Sequence, residues 1–136
     1  QTLKLTNLSN LECGSQVNIE RSLKFGDEVG GHMLSGHINR AVAITNIEHQ
    51  KDNCILYFEL PDNLIKYILP QGFIALDGCS LTIAAVDKSN FSVCLIPETL
   101  SRTCFGSVDV GQRINLEIDC QTQTIVATVE QWLQQR

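Results

Sequence analysis

Residues 1–20, QTLKLTNLSNLECGSQVNIE, align without a gap to residues 98–117, ETLSRTCFGSVDVGQRINLE. Six of the twenty positions are identical: Thr2/Thr99, Leu3/Leu100, Thr6/Thr103, Gly14/Gly111, Asn18/Asn115 and Glu20/Glu117. Gln1/Glu98, Val17/Ile114 and Ile19/Leu116 are close substitutes. Self-similarity at a fixed period limits the architectures open to a chain, and here the offset is 97 residues. A unit of that length runs from residue 21 to 117, so the opening segment reads as the closing stretch of an earlier unit whose beginning lies outside the sequence. Chance likeness between two segments of the form ETL, turn, glycine, strand is the competing explanation. Polar identities and apolar replacements sharing one register across a turn and a strand weigh against it.

Within the full unit, short strands dominate. Arg113 to Asp119 alternates, with Ile114, Leu116 and Ile118 on one face and Asn115, Glu117 and Asp119 on the other, the period-two pattern of a half-buried strand. The same reading covers residues 37–48, 54–60, 73–76, 80–86 and 91–96, with DKSN at 87–90 as a hairpin-type turn. Leu64, Ile65, Ile68 and Leu69 predict a short helix after Pro61, and Glu98 to Thr103 another. Several short strands at close spacing point to an all-β fold, a six-stranded antiparallel closed barrel of Greek-key type, which leaves no exposed strand edge. An open sandwich is the alternative. At the end of the chain Ile125, Val129, Trp132 and Leu133 recur at helical spacing, predicting a C-terminal amphipathic helix. That helix packs either on its own barrel or against other copies of the chain.

Composition narrows the partners. With 43% hydrophobic and 18% charged residues the chain can bury a core. A net charge of −5 lacks the basic face of a nucleic-acid binder, so small molecules or proteins are the expected partners. No apolar run reaches membrane-spanning length and the start lacks signal-peptide character, giving an expected cytoplasmic location. Six cysteines without a CxxC pair are expected to be free and mostly buried thiols, with a disulfide framework as the alternative.

Two segments can carry chemistry. EVGGHMLSGHI at 28–38 combines Gly30, Gly31 and Gly36, which permit positive φ or close approach to a ligand, with His32 and His37. No phosphate-loop lysine follows, and two histidines five apart without a third ligand are weak evidence for a metal, so none is expected. In DGCSLT at 77–82, a turn leads into a strand on which Ser80 and Thr82 share a face. Their hydroxyls, about 7 Å apart, suit the alternating carbonyl and N–H edge of a pteridine or pyrimidine. The bland readings are loop histidines with structural hydrogen bonds and solvated strand hydroxyls.

GGHMLSGHI, KYILPQGFIALDGCSLTIAAV, FSVCLIPETLSRT and VGQRINLEID together resemble the riboflavin synthase family. The resemblance covers nearly the whole chain and implies a tandem pair of six-stranded barrels. Residues 1–20 would end the first, 21–119 would form the link and second barrel, and 120–136 the helix through which such enzymes form homotrimers. The implied reaction is a dismutation of two 6,7-dimethyl-8-ribityllumazine molecules into riboflavin and 5-amino-6-ribitylaminopyrimidinedione, without metal or organic cofactor. Carried over by position, Ser80 and Thr82 would bind the heterocycle. Gly36, His37 and Ile38, with Ile96, Pro97 and Thr99, would line the pocket. Asp119 would stand near the exchange site, and His32 and His37 would be the groups that transfer or position protons. Gln71 occupies a substrate-side position where many members carry lysine, and the family's N-terminal MFTGIV segment and first-barrel ligand site are absent from the sequence. Non-catalytic lumazine carriers of the same double barrel are the runner-up; a reductase flavin barrel ranks last, because no nicotinamide-binding domain follows residue 136.

Overall fold

A computed structural model describes residues 1–135. Six strands close into a barrel: β1 (Arg40–His49), β2 (Cys54–Glu59), β3 (Phe73–Leu76), β4 (Cys79–Val86), β5 (Asn90–Leu95) and β6 (Arg113–Ile118). Their order around the barrel is β1-β2-β5-β4-β3-β6, all antiparallel. The excursion from β2 to β5 gives the Greek-key connection, and every strand has two neighbours, so no ladder is left open.

Side-chain alternation builds the interior. Cys54, Leu56 and Phe58 of β2 point inward, as do Phe91, Val93 and Leu95 of β5 and Ile114, Leu116 and Ile118 of β6. Burying apolar side chains of this size contributes about 1.5–3 kcal/mol each. Phe58 and Phe91, cross-strand partners, stack with centroids 5.2 Å apart. The hairpins follow from turn chemistry. Asp77 and Gly78 between β3 and β4 both have positive φ, 42° and 76°, as a two-residue type I′ turn requires. In the DKSN turn Asp87 Oδ1 accepts the Ser89 and Asn90 amides, each at 2.8 Å, which holds its carboxyl below the usual range.

The first strand starts at Arg40 rather than residue 37, because residues 37–39 follow the glycine-rich loop; Asn39 still donates its amide to Leu116 and accepts from Ile118. The segment after Pro61 winds as a 3-10 turn, Asp62–Tyr67, with Leu64 buried, and α2 covers Pro97–Arg102. The cysteines are free, but the expectation that most are buried fails. Cys54 is buried, Cys79 and Cys104 are half-buried, and Cys13, Cys94 and Cys120 are exposed. Cys94 alternates outward between Val93 and Leu95, and Cys13 and Cys120 lie outside the barrel strands.

The repeat is visible in local geometry. The opening helix α1 (Thr2–Leu5) and 3-10 turn Asn7–Asn10 correspond to α2 and the 3-10 turn Cys104–Ser107. Thr6 and Thr103 cap these turns alike, accepting from Leu8 and Phe105, and Gly14 and Gly111 share positive φ, 97° and 89°. Two asparagines then exchange contacts. Asn115 Oδ1 accepts the Asn7 amide at 2.7 Å, and Asn18 Oδ1 accepts the Cys104 amide at 2.8 Å. Each aligned asparagine therefore satisfies the first turn residue of the other copy.

After the barrel, α3 (Cys120–Gln134) buries none of its residues. An ion pair between Lys66 and Glu130 at 2.6 Å joins it to the 3-10 turn after β2. Ile125, Val129 and Leu133 are each at least half exposed, so these three side chains are not buried against the barrel. The expected range 120–136 ends on Arg136, which lies outside the described residues.

Candidate functional site

The loop carrying Gly30 to Gly36 folds back over the β3–β4–β6 wall. At its start the His32 amide donates to Ser80 Oγ at 3.1 Å, and His32 Nδ1 lies 2.7 Å from the same oxygen. The imidazole stacks on Phe73, with centroids 5.1 Å apart and planes 16° from parallel. Phe73 is the cross-strand partner of Thr82, as Ala75 is of Ser80, so Phe73, Ser80 and Thr82 share the outer face of one hairpin. Gly31 is required there, since an added Cβ would collide with the Ser80 hydroxyl and sit 2.7 Å from its Cβ.

Burial pushes the His32 imidazole below its ordinary value, against the opposing pull of Asp119 and Glu117, so the ring is neutral at pH 7. Its Nε2 is buried without a hydrogen-bond partner. A flat, neutral nitrogen heterocycle thus lies against an aromatic ring and a hydroxyl, with one polar ring atom unsatisfied.

Glu117 holds the other end of the loop. It is 4% exposed, and its Oε1 accepts the Ser35 amide (2.7 Å), the Ser35 hydroxyl (2.8 Å) and the Gly36 amide (3.0 Å). Gly36 turns at φ 75°, and His37 beyond it is exposed, with Nδ1 3.1 Å from both the Ser35 carbonyl and hydroxyl. Asp119 caps α3, accepting from Gln121 and from the Thr122 amide and hydroxyl. Burial raises its pKa, but these bonds and His32 outweigh that and hold it below the usual range. Glu20 is raised by burial and by the charge of Glu117, its counterpart in the repeat.

A cleft of about 510 Å³ opens under this loop, bounded by Glu20, Leu23, Val29, His32, Ser35 and Cys120 among others. That is within the size range of small-molecule sites, about 300–1,000 Å³. Gly36 lines it too, but Ile38, Gln71, Ser80, Thr82, Ile96, Pro97 and Thr99 do not. Thr82 is exposed beside Phe73, and Ile38 is half-buried ahead of β1. Gln71, at φ 66°, sits in the turn before β3, its amide bonded to the Ile83 carbonyl. Ile96 and Pro97 form the exposed β5–α2 junction, and the Thr99 carbonyl is taken by Thr103. The fold therefore joins His32 to Ser80 and Gly36 to Glu117, while His37 turns back onto Ser35.

Phe73, Ser35 and Glu117 escaped sequence reasoning. Phe73 becomes visible only when β3 pairs with β4. Glu117 carried a signal, its identity with Glu20 in the repeat, but read as one polar residue of an alternating strand. Among the described residues no group of three or more His, Cys, Asp or Glu could hold a metal, and no helix is long and apolar enough to cross a membrane.

Comparison with known proteins matches residues 35–119 to the lumazine binding domain. Riboflavin synthase of Escherichia coli (strain K12) is 48% identical over the whole chain, which spans 64% of that protein's length. Riboflavin synthase of Chlamydia pneumoniae is 45% identical over 98% of the chain and 64% of its own length. The chain thus spans somewhat under two thirds of the curated relatives it matches. Among solved structures, LumP complexed with riboflavin superposes with a TM-score of 0.76 at 28% identity, covering 85% of this chain and 63% of that one. LumP complexed with 6,7-dimethyl-8-(1'-D-ribityl) lumazine gives 0.75 at 24% identity, covering 85% and 62%. Because the match at 35–119 takes in every strand of the closed barrel and more than half of the sequence, the chain belongs to the lumazine binding domain family.

Proposed function

We propose that the chain is the second lumazine-binding unit of a riboflavin synthase. Such an enzyme transfers a four-carbon unit between two 6,7-dimethyl-8-ribityllumazine molecules, giving riboflavin and 5-amino-6-ribitylaminopyrimidinedione. Residues 1–20 are the closing part of a first unit, 21–119 the second, and 120–136 the helix through which copies assemble as a homotrimer. A cytoplasmic location goes with this reading.

The observation that carries it is the His32 ring stacked on Phe73 and bonded to Ser80, which supports a face suited to a flat nitrogen heterocycle. The relatives' name, riboflavin synthase, agrees with this reading, and the reaction is the one the family resemblance implies. Ser80 and Thr82 bind the ring edge and Gly36 lines the cleft, while Ile38, Gln71, Ile96, Pro97 and Thr99, which lie outside that cleft, are assigned to the substrate by the family resemblance alone. His32 and His37 position or transfer protons. Asp119, held as a carboxylate by its cap bonds, is a fixed negative charge near His32 rather than a proton donor. The substrate's ring acidifies its own 7-methyl protons, so the protein's main task is to hold two rings in register. Orientation of that kind supplies about 7–11 kcal/mol of a barrier.

Titrating the protein with 6,7-dimethyl-8-ribityllumazine, while following ligand fluorescence and riboflavin formation, tests this. A saturable change, weakened about tenfold by Ser80→Ala, is expected from loss of one buried hydrogen bond. Riboflavin formed in proportion to protein identifies the synthase reaction. Saturable binding without product limits the reading to ligand binding, and no binding overturns it.

A further inference from the structure

Phe73 opens β3 half exposed, at 47%, although Ile74, Ala75 and Leu76 behind it are buried. Ala75 stands on the same outer face, between its cross-strand partners Ser80 and Glu117, and is 1% exposed. It lies under the span of the glycine loop, which is fixed to Glu117 at one end and to Ser80 at the other. The loop is a strap with unequal anchors. Glu117 accepts three hydrogen bonds from Ser35 and Gly36. At the far end the hold consists of the His32 amide and ring on Ser80 and of the same ring on Phe73.

The His32 anchor is the weaker one. Its Nε2 is buried without a hydrogen-bond partner, and an unsatisfied buried polar atom offsets part of what the contact gains. The five-membered ring also leaves Phe73 half exposed, and Phe73 is no part of the barrel's core. The imidazole nevertheless shows what this face accepts. One planar nitrogen ring lies nearly parallel to Phe73 at 5.1 Å and at the same time brings a ring nitrogen within 2.7 Å of the Ser80 hydroxyl. A two-ring heterocycle in that place would cover more of the aromatic face and also reach Thr82, the cross-strand partner of Phe73.

We propose that Phe73 is the platform on which the ligand's heterocycle stacks, and that His32 holds this platform in the free protein as an internal competitor, released when the ligand binds. This rests on the lumazine reading of the site and deepens it. Two rings cannot share the place above Phe73. The Ser80 hydroxyl has one proton and two lone pairs, and the His32 amide and ring engage two of these three positions. The stretch from Gly30 to Leu34 therefore swings off, pivoting where Glu117 keeps Ser35 and Gly36. Apparent affinity is lowered by the fraction of molecules in which the strap is docked. Gly31 permits that docking, since a Cβ at this position would meet the Ser80 hydroxyl.

Nuclear magnetic resonance of the His32 ring protons during titration with 6,7-dimethyl-8-ribityllumazine reads binding and release together. In the free protein these protons should be shifted upfield by the Phe73 ring, and at saturation they should move to the positions of an exposed histidine. Gly31→Ala should show the exposed positions without ligand and bind about threefold more tightly, through a larger binding-competent fraction. Phe73→Leu should bind about threefold to tenfold more weakly, the worth of one aromatic pair, because a two-ring ligand loses more contact than the imidazole does. Circular dichroism checks that both variants keep the barrel; if Gly31→Ala does not fold, His32→Ala removes the competing ring and should show the same gain. Three results each overturn the proposal and leave the lumazine reading standing: saturation with the His32 signals unmoved, a Phe73→Leu protein with the parent's Kd, or binding by Gly31→Ala, or by His32→Ala in its place, no tighter than the parent's. Absence of binding by the parent and by Gly31→Ala alike overturns the functional reading and the proposal together, whereas binding by Gly31→Ala alone supports both.

Discussion

Asp119 closes the first turn of α3, where helix amide groups lack intrahelical partners, and its carboxylate takes the Gln121 and Thr122 amides and the Thr122 hydroxyl. Replacing it with alanine is expected to cost about 1 kcal/mol of stability. Its pKa is depressed in the fold, whereas an unfolded aspartate titrates near about pH 3.9. The cap's contribution is therefore complete above about pH 4 and is lost as the pH falls through the lower, folded value. An acid titration followed by circular dichroism at 222 nm should show α3 losing helicity in that window, with Asp119→Asn flattening the change. A transition confined to higher pH would assign acid sensitivity elsewhere. The same residue shows how far position-by-position transfer reaches: it lies within electrostatic range of His32, yet its hydrogen bonds serve the helix.

The two aligned strand segments separate pattern from environment. Ile114 and Leu116 are wholly buried in β6, while Val17 and Ile19, at the same places in the repeat, are 50% and 85% exposed. Residues 15–20 have the alternation of a strand but no strand neighbours, so no ladder forms. The opening segment instead docks through side chains: Asn7 exchanges hydrogen bonds with Asn115 and donates to the Arg113 carbonyl, and Asn18 accepts from Cys104 and donates to the Asp77 carbonyl at 3.0 Å. Asn18→Ala should loosen this arm while the barrel persists. Amide hydrogen exchange is expected to speed up at Cys104 and through residues 11–30, with a stability loss of about 1 kcal/mol. Unchanged protection would mean that the arm is held elsewhere, through Asn7 and Asn115.

For the molecule as a whole, the unsolved surface is the face of α3 bearing Ile125, Val129 and Leu133, each at least half exposed. Contiguous apolar exposure of this kind marks an interaction site. Ile125→Asp with Val129→Asp should leave the barrel's circular dichroism unchanged and lower the sedimentation coefficient to that of a monomer; a parent protein already monomeric at micromolar concentration would refute assembly through this face. Much of this architecture was legible in advance. Alternation and turn residues such as Asp77-Gly78 and Asp87 located five of the six strands to within a residue, because strand faces and turns are set by neighbours in sequence. The resemblance singled out Ser80 and both histidines, and only their placement in space shows what each one touches. That Phe73 meets His32 and that Glu117 is buried under Ser35 and Gly36 depended on strand register and on where the glycine loop comes to rest. Such relations join residues 41 to 82 positions apart, and no local pattern encodes them; only closure of the barrel brings them together.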